Sequence, residues 1–86
     1  METLTLDELS IGKVGVVCEL RSTGAMRRRF VDLGVVEGTR IECVGKSPCG
    51  DPCAYLVRGA VIAIRKKDAR EIVLRLPSRE DQNGTY

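Results

Sequence analysis

Apolar and polar residues alternate along most of this sequence, and no apolar run exceeds the five residues from Ala60 to Ile64. Alternation with a period of two marks strands that bury one face and expose the other. In a chain of 86 residues this is a severe constraint, because a domain so short buries little surface. One small flat sheet cannot hide several inward-facing rows, so the sheet has to curl on itself. Fifteen residues are Val or Ile, which suits strands. The five-residue limit also excludes a membrane-spanning helix.

The pattern divides the chain as follows. Residues 6–11 read as an opening turn whose Leu6, Leu9 and Ile11 plug one end of a core. Residues 13–21 read as a strand with Val14, Val16, Cys18 and Leu20 inward. Ser22 or Thr23 caps a short helix over Ala25 to Leu33, with Met26, Phe30 and Leu33 on its apolar face. Gly34 supplies the left-handed stop, and Gly38 marks a turn. Residues 39–47 form a strand with Ile41 and Cys43 inward. The stretch Ser47-Pro48-Cys49-Gly50-Asp51-Pro52 is a loop. Strands follow at 53–58 and 60–65, joined by a tight hairpin at Arg58-Gly59, with Ile62 and Ile64 inward. Lys66 to Arg70 make one helical turn. Residues 71–76 form the last strand, with Ile72, Leu74 and Leu76 on one face, and 77–86 read as a disordered tail. The expectation is therefore a mainly β fold: a small SH3-like barrel of five strands, with one short helix between the first and second. An OB-type barrel is the nearest competitor.

Three sets of motifs, taken in order, point to a family. They are Arg29-Phe30-Val31-Asp32-Leu33-Gly34-Val35-Val36-Glu37-Gly38; then Gly50-Asp51-Pro52 and Tyr55-Leu56-Val57-Arg58-Gly59; then Ala63 through Ile72. In order and spacing these resemble the FeoA family, ferrous iron transport protein A, over residues 4 to about 76. The resemblance implies an SH3-like fold in residues 1–76. It also implies a cytoplasmic accessory protein of ferrous iron uptake whose partner is FeoB, a membrane protein with a cytosolic GTPase domain. The acidic start Met-Glu-Thr-Leu-Thr has no secretory apolar stretch, which agrees with a cytoplasmic location. A related domain ends iron-dependent repressors, but no helix-turn-helix segment is seen here and the free-standing form is expected. Family members tend to flank Gly-Asp-Pro with apolar residues, where this chain has Cys49 and Cys53.

Those cysteines are the first candidate site. Two thiolates with the Asp51 carboxylate offer soft and hard donors that suit iron or zinc. The spacing is not that of a zinc ribbon, and the sequence holds no histidine to complete a set. A disulfide and a bland role as small apolar residues remain alternatives, and no cofactor is expected beyond a weakly held iron or zinc ion. The second candidate is the basic run Arg27-Arg28-Arg29, either a solvated helix face paired with Asp32 or Glu37, or a partner patch. Phe30 and Leu33 read as core. Val35 and Val36 cannot easily both be buried in a turn, so a docking face formed by Arg28, Arg29, Phe30, Leu33 and Val35 is expected. Catalysis is not expected. No paired carboxylates, phosphate loop or histidine base is present. With a net charge of +2 and three aromatic residues, a nucleic-acid-binding barrel is supported only by Arg27–Arg29 and Lys66-Lys67. The functional expectation is an accessory protein acting on a FeoB-type transporter. The alternative is a metal-sensing module built on Cys49 and Cys53, and an open barrel edge would also allow pairing with a second copy.

Overall fold

Strands of three to seven residues build the sheet in this computed structural model, which describes residues 2–77. The described residues form six strands: β1 (Thr3–Thr5), β2 (Val14–Leu20), β3 (Arg40–Lys46), β4 (Cys53–Val57), β5 (Ala60–Ile64) and β6 (Ile72–Arg75). A single 3₁₀ turn follows β1 at Leu6–Glu8. Helix α1 (Gly24–Asp32) lies between β2 and β3, and α2 (Lys66–Ala69) between β5 and β6. All pairings are antiparallel, in the order β1-β6-β2-β3-β4-β5. The expected closed barrel of five strands is corrected in two respects. A sixth strand, β1, pairs with β6 through Thr3, Leu4 and Thr5. The sheet is curled but open, with β1 and β5 at its edges among the described residues. Three residues are too few for alternation to be seen, which is why β1 escapes a periodicity reading. Of the tail expected over 77–86, residues 78–86 lie outside the described residues.

Curling is assisted by two register shifts. One falls in β2, between Val17 and Glu19, opposite β6; the other falls in β3, between Cys43 and Gly45, opposite β4. An inserted residue bends a strand and increases its twist. The first shift overturns the expected inward face of β2. Val17, not Cys18, enters the core cluster, and Cys18 is the half-buried extra residue of the bulge. Val16 is buried outside that cluster. The inward position before Val17 belongs to Gly15, which has no side chain to reveal it. A Cβ there would stand 2.7 Å from Leu74 Cδ1 and 3.1 Å from Leu74 Cβ, so the glycine lets β6 press against β2.

One continuous cluster joins Leu6, Leu9, Val17, Phe30, Val35, Ile41, Cys43, Tyr55, Val57, Ile64, Ala69, Ile72 and Leu74. Ile41, Cys43, Ile64, Ile72 and Leu74 lie inward as the alternation requires. Ile11 and Leu76 are each 54% exposed, so neither plugs the core. Tyr55 is the largest fully buried side chain, and its hydroxyl donates to Leu6 O at 3.4 Å. Burial, followed by the neighbouring Cys53 thiol, pushes the Tyr55 phenol well above its ordinary value of 10.0. Burial likewise raises the Cys43 thiol from 9.0, against a weaker pull from its bond to Gly45 O.

Two outcomes follow from this packing. Gly15→Ala should cost ~1–3 kcal/mol by overpacking against Leu74, read as a lower midpoint in thermal denaturation. Gly45→Ala, whose Cβ would meet Ala54 Cβ at an ordinary 3.8 Å, should be neutral to within ~0.5 kcal/mol. The second outcome concerns pH. The folded chain holds the Cys43 and Tyr55 protons more tightly than the unfolded chain. Stability should therefore be level below about pH 9 and fall above it, by up to ~1.4 kcal/mol per pH unit per group. Denaturant midpoints measured across that range check it, and Tyr55→Phe should flatten the part of the decline above about pH 10.

Candidate functional site

Helix α1 ends in a way that fixes everything around it. Leu33 is its C-cap, and Gly34 takes a φ of 95°. The Val35 N–H donates to Phe30 O at 2.8 Å and the Gly34 N–H to Val31 O at 3.0 Å. This is the Schellman arrangement, which brings together the apolar residues three before and two after the cap. Here those residues are Phe30 and Val35, and both are buried in the core cluster. Thr39 Oγ1 then donates to Gly34 O at 2.8 Å, turning the chain into β3. Arg58, at the tip of the β4–β5 hairpin with a φ of 50°, lies across Gly34. A Cβ on Gly34 would meet its Cδ, and its Nε at 2.8 Å. The Arg29–Gly38 motif is therefore a helix stop whose glycine also accommodates the hairpin arginine.

This geometry corrects the expected docking face. Val35 is 0% exposed and cannot belong to a surface patch. Val36 is half-buried. Of the two expected N-caps, Thr23 holds the position, without a side-chain capping bond. The helix start is tied down instead by Arg27, whose guanidinium donates to Leu20 O at 2.7 Å. Among the described residues, Arg27–Arg29 make no ion pair with Asp32 or Glu37, whereas Arg21 pairs with Glu19 and Arg70 with Asp7.

Three of the expected docking residues do come together. Arg29, Phe30 and Leu33 line a groove of about 410 Å³ between α1, β5 and α2, with Met26, Ala63, Ile64, Arg65, Lys67 and Asp68. Phe30 and Ile64 form its floor, Met26 is half-buried, and Leu33 is 37% exposed. Arg28 is exposed and lies outside this lining. Arg65, which sequence reading did not single out, and Lys67, named there only in the Lys66-Lys67 pair of a nucleic-acid reading, reach the groove from a different element.

The Cys49–Cys53 loop is a separate feature. All four cysteines are free thiols, so no disulfide links the pair. Cys49 is exposed, and Cys53 is half-buried with its thiol 3.6 Å from Gly50 O. Asp51 Oδ1 accepts the Lys66 N–H at 2.9 Å, which ties the loop to the first turn of α2. Among the described residues no three Cys, Asp or Glu side chains stand together so as to hold a metal ion. Under reducing conditions the purified protein should bind iron or zinc at well below one ion per chain. Elemental analysis checks this, and one tightly held ion lost in Cys49→Ser would contradict it.

The curled open sheet with its short helices is a small SH3-type β module. A model of the FeoA domain family matches residues 4–76. A curated relative from Porphyromonas gingivalis (strain ATCC BAA-308 / W83), an Fe(2+) transport protein A/Fe(2+) transporter FeoB fusion protein, is 31% identical over 75 residues. That match takes in 87% of this chain and 9% of the relative, so the chain spans less than a tenth of its length. Among solved structures, a FeoA-like protein from Clostridium acetobutylicum is 33% identical with a TM-score of 0.80 over 88% of each chain. FeoA of Stenotrophomonas maltophilia, solved in complex with zinc and described as a prokaryotic SH3 domain protein, is 30% identical. Its TM-score is 0.75, over 84% of this chain and 89% of that one. The chain belongs to the FeoA domain family.

Proposed function

We propose that this chain is a cytoplasmic accessory protein that binds the cytosolic GTPase domain of a FeoB-type ferrous iron transporter and biases it between states. The observation that carries the reading is the fusion relative, in which a domain 31% identical to this one shares a polypeptide with FeoB. A covalent link raises the effective concentration of two modules for each other, a benefit that requires them to touch. The chain's own residues suit binding rather than chemistry: the apolar and basic groove beside α1 offers a surface, and the sequence holds no histidine base. No described helix is long and apolar enough to cross a membrane. Binding shifts a transporter only in so far as its two states differ in affinity for the accessory. A metal-sensing role for Cys49 and Cys53 lacks a three-donor group among the described residues.

Co-purification with the FeoB of the same organism, with and without guanine nucleotide, tests the reading. Retention of the chain, stronger in one nucleotide state, is expected. Absence of retention in every state would contradict it.

A further inference from the structure

The groove between α1, β5 and α2 combines an apolar floor with a rim of uncommitted positive charge. Arg29 stands in the last turn of α1, Arg65 at the N-cap of α2 and Lys67 within it, while Asp68 is the one carboxylate of the lining. Among the described residues none of these three cations has a side-chain hydrogen bond or ion pair. Some other cations are committed, Arg21 to Glu19, Arg70 to Asp7 and Arg27 to Leu20 O, so what sets the groove apart is that three cations share one lining. Three cations and one carboxylate line this groove in a chain whose formal charge is only +2, so its positive potential is local.

We propose that this groove receives a partner segment presenting an apolar side chain flanked by Asp or Glu. The apolar side chain would rest on the accessible Met26, Leu33 and Ala63, above the buried Phe30 and Ile64, and the carboxylates would meet Arg29, Arg65 and Lys67. This deepens the functional reading above and rests on it: the segment belongs to the cytosolic part of the transporter. Charge complementarity selects the occupant. Guanidinium groups pair with carboxylates in two-pronged fashion and are favoured where an interface is partly desolvated. Interface affinity concentrates where an apolar anchor fills a pocket behind a polar rim. A nucleic acid would want a stacking face, and Phe30, the aromatic residue of the lining, is 2% exposed. A flat anionic membrane would meet Arg28 as readily as the recessed groove.

Calorimetric titration of the full chain with the purified cytosolic GTPase domain of FeoB tests this. Arg29→Glu and Lys67→Glu should each weaken binding about tenfold or more, and added salt should weaken the wild type most. Arg28→Glu, outside the lining, should stay within about twofold. Melting curves establish that each variant folds; where a charge reversal does not fold, Arg29→Gln and Lys67→Gln replace it, with a loss of about threefold expected. If the wild type binds and the groove variants bind equally well, the partner docks elsewhere and the groove assignment falls while the functional reading stands. If the wild type binds in no nucleotide state, the functional reading falls and the groove assignment with it. Phosphatidylglycerol vesicles form a separate arm: binding to them that depends on Arg29, with FeoB binding indifferent to Arg29, overturns the proposal in favour of a lipid surface.

Discussion

Phe30 and Val35 enter the core as a pair because α1 stops on a left-handed glycine, and much of the molecule's arrangement follows from that stop. The two bonds from Val35 and Gly34 back into the last turn fix the direction in which the chain leaves the helix. Thr39 then hands it to β3 through its bond to Gly34 O. With Phe30 pinned, the helix cannot rotate about its axis. Leu33 lies one turn on from both Phe30 and Arg29, so Leu33 and Arg29 line the groove toward β5 and α2, while Arg28 lies outside it. The same glycine leaves room for Arg58, so the hairpin tip of β4 and β5 rests on the helix end. One backbone conformation thus sets the core, the turn and the groove.

A sheet of this size must bury its apolar residues with few strands, and it does so by bending. The bulges in β2 and β3 supply the bend, and Gly15 allows the close approach of Leu74 that it demands. Tyr55 fills the centre and spans the core to the backbone of Leu6. The sheet stops short of closure, leaving β5 at an edge, where Val61 is 63% exposed. Asp51 reaches from the β3–β4 loop to the backbone of Lys66, so the loop and α2 hold each other in place.

Much of this was legible in the sequence, and the exceptions have physical causes. Alternation alone placed Ile41, Cys43, Ile64, Ile72 and Leu74 inward, and the expected bounds of α1 fall within a residue of those observed. The face of β2 inverts the expected one only up to the bulge, because the inward row begins with Gly15 and Cys18 is the extra residue, after which Leu20 packs against the core as its alternation requires. A strict period of two cannot register either event. Val35 was read as exposed because two adjacent valines in a turn suggest a patch. The helix stop buries one of them through bonds that apolar patterning does not encode. The groove was half visible: α1 announced Arg29 and Leu33, but Arg65 and Lys67 come from the far side of the fold, and only tertiary packing brings them opposite. Asp51, one candidate donor among alternatives in the sequence, has a structural task that the sequence does not announce: its carboxylate accepts the Lys66 N–H of a neighbouring turn.

The account's central claim is that a recessed apolar and basic surface, positioned by the buried Phe30–Val35 pair, is what a FeoA-type module offers its transporter. Amide hydrogen exchange of the full chain, alone and with the FeoB cytosolic domain, measures this most directly. Slower exchange confined to α1, β5 and α2 is the predicted result. Protection appearing instead at the Cys49–Cys53 loop or along β1, with those three elements unchanged, would contradict it.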